Sequence, residues 1–102
     1  MVYIKRLVWD SWNVEHIARH DVTSDEVEEV CHCNPVFRDS YKGRKLVIGP
    51  TKLGRMITVA LDPEPEMEGV FYPVTAHPAS RKERRRYKET KEVDQNEKTK
   101  KQ

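Results

Sequence analysis

The spacing of apolar residues in the first fifth of the chain predicts a strand followed by a helix. Val2 to Val8 is apolar enough for the strand, although its alternation is imperfect, and Trp9 interrupts it. Asp10 or Ser11 can cap the helix, which continues to about Arg19. Its apolar face, at helical spacing, consists of Val14, Ile17 and Ala18. Beside that face runs a line of ring-bearing residues at four-residue spacing, namely Trp12, His16 and His20.

A second helix is expected after the turn at Asp21. Thr23 and Glu26 have the spacing of a capping box, in which each side chain accepts a hydrogen bond from the other residue's backbone amide. The helix ends near Asn34, because the proline that follows disfavours helical geometry at the residue before it. Its predicted buried face consists of Val27, Val30 and Cys31.

From residue 36 onwards the pattern changes to strands joined by turns. The predicted strands are Val36 to Tyr41, Lys45 to Gly49, Arg55 to Leu61 and Val70 to Thr75. The turns between them are expected at Lys42-Gly43, over Pro50 to Gly54 and over the exposed connection Asp62 to Gly69. The strand from Arg55 is apolar on both faces, which indicates a central position in a sheet. Pro73 in the last strand indicates a bulge or an edge.

A strongly basic helix follows the last strand. Ser80 and Glu83 repeat the capping-box spacing at its start. Its cations are Arg81, Lys82, Arg84, Arg85, Arg86, Lys88 and Lys91, against Glu83 and Glu89. After residue 91 only Val93 is apolar, so residues 92–102 are expected to be a charged tail, disordered or a frayed extension of the helix.

Together these elements predict an α+β fold in one domain, residues 1–91. Two N-terminal helices and one C-terminal basic helix would pack on a small, mainly antiparallel sheet of four to five strands. A chain of 102 residues with 36% hydrophobic content supports a single modest core.

Charge is distributed unevenly along the chain. Charged residues make up 35% of it, yet the net charge is +2, because acidic residues concentrate in residues 21–29 and 62–68 and basic ones after Ser80. This separation indicates a polyanion-binding end. The chain has neither an apolar run of transmembrane length nor a signal peptide, and Cys31 and Cys33 are too close for a typical structural disulfide. We therefore expect a soluble, cytoplasmic protein with reduced thiols and no membrane partner.

Metal chemistry has weak support in the sequence. His16 and His20 have the i, i+4 spacing of two metal ligands, but Cys31-His32-Cys33 lacks the usual Cys-x-x-Cys spacing of zinc sites. We expect no metal or other cofactor, with both histidines hydrogen-bonded beside the core. A metal-binding regulator that uses His16, His20 and Cys33 is the weakest alternative. Neither a Gly-x-Ser-x-Gly motif nor a glycine-rich phosphate loop is present.

The remaining candidate site lies where the last strand meets the basic helix. Metal-free RNA cleavage needs a base for the ribose 2′-OH, an acid for the leaving 5′-oxygen and cations for the phosphorane. His77 suits proton transfer near neutral pH, and Arg81 and Arg84 suit charge stabilisation. Predicted RNA-binding residues are Lys82, Arg85 and Tyr87, and secondary catalytic candidates are His16 and His20, if the first helix lines the same cleft. The alternative is a non-catalytic module that binds nucleic acid or a protein.

Several segments of the chain resemble BrnT-type toxins. The family's N-terminal signature is matched by Trp9-Asp10, Asn13, His16-Ile17, His20 and residues 22–27, and its hairpin strands by residues 43–48 and 54–61. The most specific match is residues 75–87, Thr-Ala-His-Pro-Ala-Ser-Arg-Lys-Glu-Arg-Arg-Arg-Tyr, beside the family's closing signature Ala-Arg-x-Ala-(Thr/Ser)-x-x-Glu-Arg-x-x-Tyr. The resemblance covers about Leu7 to Glu89.

This resemblance implies a RelE-like fold and a cytoplasmic, metal-independent endoribonuclease of a type II toxin–antitoxin system. The implied partners are RNA and a cognate DNA-binding antitoxin, and a homodimer is left open. Two positions depart from the family: Asp21 replaces the glycine of a His-Gly-Val turn, and His77, followed by Pro78, replaces an arginine. Because histidine stabilises phosphate charge only when protonated, His77 would take an acid–base role, or the chain would be an inactive relative that binds nucleic acid or protein.

Overall fold

The computed structural model describes the backbone of residues 4–100 and the side chains of residues 4–93. The fold is α+β, as predicted, with three helices and a five-stranded sheet. The elements in chain order are β1 (Arg6–Leu7), α1 (Ser11–Ala18), α2 (Ser24–His32), β2 (Val36–Asp39), a 3-10 turn (Tyr41–Gly43), β3 (Lys45–Pro50), β4 (Met56–Pro63), β5 (Val70–Pro78) and α3 (Arg81–Lys100).

The strand order of the sheet is β1-β5-β4-β3-β2. β1 pairs with β5 in parallel, and the other neighbouring strands pair antiparallel. The central position predicted for β4 is confirmed. The bulge predicted at Pro73 is confirmed too, because Ala60 pairs with Thr75 whereas Leu61 pairs with Pro73. Val74 is therefore the additional residue of the bulged strand.

Each of the five described strands differs from the prediction at one boundary or both. β1 is shorter, β2 ends two residues earlier, at Asp39, and β3 ends one residue later, at Pro50. Before β1 the amides of Lys5 and Arg6 both donate to the carbonyl oxygen of Gly69, at 2.7 and 3.2 Å. Residues 2 and 3 of the predicted first strand lie outside the described residues. β4 and β5 are longer than predicted, and each ends at a proline, a residue tolerated at strand ends where no amide donor is needed. As a result His77 lies within β5, not after it.

The two faces of the sheet bury different residues. α1 and α2 cover one face, where the main core contains Ile17, Val22, Val27, Val30, Cys31, Val47, Ile57, Val59, Leu61, Phe71 and Ala76. Alternate residues of a strand point to opposite faces, so the register places a row on the other face that consists of Val36, Ile48, Thr58 and His77. α3 contacts β2 and β3, and the first three residues of this row are buried.

The buried face of α1 differs from the prediction, whereas that of α2 is confirmed. In α1 the buried residues are Asn13 and Ile17, and Val14 and Ala18 are exposed. Asn13 points inward because its amide nitrogen donates to the carbonyl oxygens of Val8 and Pro73, at 3.0 and 3.1 Å. These hydrogen bonds make the burial of a polar side chain favourable. In α2 the buried residues are Val27, Val30 and Cys31.

α3 continues well past the basic segment. Its backbone is helical from Arg81 to Lys100, so the described part of the charged tail extends the helix, while residues 101 and 102 lie outside the described residues. Across the chain as described, no helix combines the length and the apolar character needed to cross a bilayer.

Candidate functional site

His77 is held by regular strand pairing on the sheet face where α3 packs. Its cross-strand neighbour on β4 is Thr58, while the preceding residue, Ala76, points into the core on the opposite face. The amide of Ala79 then donates to the carbonyl oxygen of Met56 at 2.9 Å, so the chain stays attached to β4 up to the start of α3. This attachment fixes the position of His77 relative to the first turn of α3.

The imidazole of His77 contacts the carboxylate of Glu83. Nε2 of His77 lies 3.2 Å from Oε1 of Glu83, and the two side chains are 46% and 26% exposed. The same Oε1 accepts a hydrogen bond from the amide of Ser80 at 2.7 Å, and Oγ of Ser80 accepts one from the amide of Glu83 at 3.1 Å. The predicted capping box is thus confirmed. One carboxylate oxygen both caps α3 and contacts His77.

Glu83 is ionised at neutral pH. Burial is the largest single influence on its carboxyl group and by itself would raise the pKa. The amide of Ser80 and the positive charge and hydrogen bond of His77 outweigh burial, so the pKa of Glu83 lies below its ordinary value. A carboxylate in this position can orient a neutral imidazole and stabilise a protonated one.

The predicted charge-stabilising residues lie on the exposed side of α3. Arg81, Arg84, Arg85 and Lys88 follow the i, i+3, i+4, i+7 spacing of one helical face, and all four are exposed. We call these four residues the cationic stripe. Among the described side chains none of the stripe forms an ion pair, and no hydrogen bond joins Arg81 or Arg84 to His77. Lys82 is exposed beside them.

Tyr87 anchors α3 to the chain that follows α2. Its hydroxyl donates to the carbonyl oxygen of Asn34 at 3.2 Å, and Nζ of Lys91 donates to Oδ1 of Asn34 at 2.6 Å. Nζ of Lys91 also lies 5.7 Å from the centre of the Tyr87 ring. Burial, followed by the nearby Cys33, raises the pKa of Tyr87. The RNA-binding role predicted for Tyr87 would therefore compete with an anchoring role.

The secondary candidates lie on the other side of the sheet. Ile17 of α1 belongs to the same core as Ala76, whereas His77 points to the opposite face, so the sheet separates His16 and His20 from His77. The predicted hydrogen bonds of these two histidines are absent among the described residues. Instead, the rings of Trp12 and His16 stack with centroids 4.8 Å apart, and His20 meets His16 edge-on at 5.2 Å.

The weakest alternative, a metal site, has no assembled ligand set. In the part of the chain that the structure describes, no group of three or more His, Cys, Asp or Glu side chains could hold a metal ion. Cys33 follows α2 and is free, and Cys31 is free and buried. Burial and then the charge of Glu28 raise the pKa of the Cys31 thiol to about 12, which makes that thiol unreactive.

A groove of about 540 Å³ at the start of β5 does not contain the candidate site. It includes Phe71 and Met67, and its rim carries Glu64, Glu66 and Glu68. His77 lies seven residues beyond Val70 along β5, roughly 23 Å at the rise of a strand. The acidic rim also disfavours a polyanion, so this groove does not suit the phosphate groups of RNA.

Asp21, which stands where BrnT-type toxins have a glycine, is accommodated by backbone geometry and by Arg55. Asp21 has φ of 63°, in the left-handed region that favours glycine and tolerates aspartate. A guanidinium nitrogen of Arg55 donates to the carbonyl oxygen of Asp21 at 2.6 Å, and the other nitrogen binds Glu26 at 2.9 Å. The turn therefore keeps the conformation that a glycine would adopt.

Sequence reasoning missed two residues that shape the site. Glu83 was recognised as a helix cap but not as the partner of His77, and the signal was its position six residues after the histidine at the start of the helix. Asn13 was not expected to be buried, and no pattern of apolar residues indicates an inward-facing amide.

Comparisons with known proteins assign no family. No protein-family model matches the chain, and no curated protein is significantly similar to it. The similarity to BrnT-type toxins rests on the sequence segments described above.

Proposed function

We propose that this protein is a toxin-like endoribonuclease, a divergent relative of BrnT-type toxins, that cleaves RNA in the cytoplasm without a metal ion. The observation that carries the proposal is the contact between His77 and Glu83 at the start of a cationic helix. An accessible imidazole held by a carboxylate is a proton-transfer group, and the cations on the exposed side of the same helix suit a phosphodiester substrate.

In this mechanism His77 removes the proton of a ribose 2′-OH. The 2′-oxygen attacks the adjacent phosphorus, the bond to the 5′-oxygen breaks, and the proton passes from the imidazolium to that leaving oxygen. The products are a 2′,3′-cyclic phosphate and a 5′-hydroxyl. The imidazole ends the reaction neutral, because it gives up to the 5′-oxygen the proton that it took from the 2′-OH. The carboxylate of Glu83 stabilises the imidazolium that forms between the two steps.

The cationic stripe supplies the charges for this reaction. Arg81 and Arg84 are the members of the stripe nearest the start of α3 and would stabilise the phosphorane, while Arg85 and the neighbouring Lys82 would hold other phosphates. Because these residues have no described carboxylate partners, their charges are available to a polyanion. A cognate antitoxin that covers this surface is the partner suggested by the resemblance to BrnT-type toxins.

The decisive test is RNA degradation by purified protein in the presence of a chelator. Replacement of the imidazole in His77→Ala should lower the rate by about two orders of magnitude or more. His32→Ala is the matched control, because His32 is also exposed and bonded to Glu28 but lies on α2. Loss of activity on chelation would exclude the metal-free mechanism, and full activity of His77→Ala would exclude the catalytic assignment.

A binding module without catalysis is the second candidate, and the free cationic stripe favours it. In that case the wild type would leave RNA intact but bind it with strong salt dependence. Arg84→Gln with Arg85→Gln should weaken that binding, whereas Arg6→Gln, an exposed charge on β1, should not. Growth arrest on expression would separate an active toxin from an inert relative.

A further inference from the structure

The geometry points to Glu83 as a positioning residue for His77: it binds Nε2, so that Nδ1 is the ring nitrogen presented to the substrate. The catalytic part of this inference rests on the proposed function. The orientation and tautomer of the ring do not rest on the proposed function, because they follow from contacts within the free protein.

The first step of the argument is the chemistry of the contact. An ionised carboxylate can only accept hydrogen bonds, so a neutral imidazole that bonds to Glu83 at 3.2 Å must carry its proton on Nε2. Nδ1 then has its lone pair free. A free lone pair is what a base for the ribose 2′-OH needs.

The second step is the rigidity of Glu83. Its Oε1 accepts from the amide of Ser80 at 2.7 Å while contacting His77, and its own amide is held by Oγ of Ser80 at 3.1 Å. The hydrogen bond from the Ser80 amide fixes the carboxylate, and the hydrogen bond to Oγ of Ser80 fixes the backbone of Glu83. His77 is fixed from the other side by its pairing with Thr58 in the sheet.

The third step is the charge around the ring. Glu83 is the carboxylate in contact with His77, Thr58 on β4 is uncharged, and the first residues of α3 contribute the cations of Arg81 and Lys82. Among the described contacts, Glu83 is therefore the charged group that bonds to the ring.

Glu83→Gln is the informative variant, because glutamine at this position also completes a capping box. The variant should keep α3 folded while it removes the charge beside His77. A glutamine side chain can donate as well as accept a hydrogen bond, so it no longer forces the ring proton of His77 onto Nε2. Ring ¹⁵N shifts measured by NMR report the tautomer of His77 in the absence of RNA.

The same spectra test the tautomer. At a pH where the ring is neutral, wild-type His77 should show one form, protonated on Nε2, whereas Glu83→Gln should also show the form protonated on Nδ1. The proposal is overturned if Nδ1 carries the proton in the wild type, or if the tautomer is the same in both proteins. His32 serves as the internal control, because its Nδ1 contacts Glu28 and its ring shifts should be the same in both proteins.

Catalysis supplies an independent readout. With RNA as substrate, Glu83→Gln should reduce kcat by about tenfold with little change in KM. A rise in KM with kcat unchanged would contradict the positioning role. If the wild type cleaves no RNA, the proposed function fails, while the NMR result still decides the role of Glu83.

Discussion

Thr58 and His77 are cross-strand neighbours on β4 and β5, and the hydroxyl of Thr58 is buried there without a hydrogen-bond partner among the described residues. A buried hydroxyl without a partner costs about 1 to 3 kcal/mol. Thr58→Val keeps the shape of the side chain and removes that cost, so it should raise the free energy of unfolding by about 1 kcal/mol. Urea denaturation measures the change, and a decrease would show that the hydroxyl is satisfied.

Asn13 joins the end of β1 to β5 through a single buried amide. Replacement by alanine leaves the carbonyl oxygens of Val8 and Pro73 without this donor, at a cost of about 1 to 3 kcal/mol. Asn13→Ala should therefore lower the free energy of unfolding by roughly that amount. Val14→Ala, next to it on the exposed side of α1, is the control and should change stability little. Equal effects of the two variants would contradict the bridging role.

Asp21→Gly tests how the turn between α1 and α2 tolerates a side chain. Glycine adopts a φ of 63° without strain, and the hydrogen bond from Arg55 to the backbone of residue 21 remains. The substitution removes the contact between the carboxylate of Asp21 and Arg55. Because the Asp21 side chain is 97% exposed, this contact adds little to the free energy of unfolding. The variant should be more stable by about 0.5 kcal/mol. A decrease of more than about 1 kcal/mol in the free energy of unfolding would show that the carboxylate of Asp21 stabilises the turn.

Glu26 should contribute to the acid sensitivity of the fold. Burial raises its pKa, but the hydrogen bond from Thr23 and the contacts with Arg55 outweigh that effect, so its pKa is lowered from the ordinary value of 4.5. As the pH falls, Glu26 therefore binds a proton in the unfolded chain before it does so in the folded protein. The contribution of Glu26 is therefore full above 4.5 and is lost as the pH falls through the lower, folded-state pKa.

The comparison of wild type with Glu26→Gln at two pH values checks this sign. The variant should be less stable than the wild type at pH 7, and the difference should shrink as the pH falls from 4.5 through the lower, folded-state pKa of Glu26. A difference that grows on acidification would contradict the direction of the shift.

Features governed by local chemistry were predictable from sequence. The capping boxes at Thr23 and Ser80 formed because their partners lie three residues away on the same helical turn. The central position of β4 followed from its two apolar faces, and the bulge followed from the proline at residue 73. Each of these features is signalled by residues within the element itself.

The arrangement of the candidate site depended on long-range register and was not predictable to the same degree. Whether His77 points to the face of α1 or of α3 is decided by the alternation of β5 and its pairing with β4, and a shift of one residue would reverse it. The separation of His16 from His77 follows from that alternation. The contact with Glu83 also requires β5 to continue three residues beyond the predicted end.

The central claim is that His77 transfers the proton during RNA cleavage, and the product ends of a single-turnover reaction test it most directly. A synthetic RNA incubated with the wild type in a chelator should yield fragments ending in a 2′,3′-cyclic phosphate and beginning with a 5′-hydroxyl. His77→Ala should yield these ends at least about a hundredfold more slowly, while His32→Ala matches the wild type. Fragments with 5′-phosphate ends, or equal rates for the wild type and His77→Ala, would contradict the account.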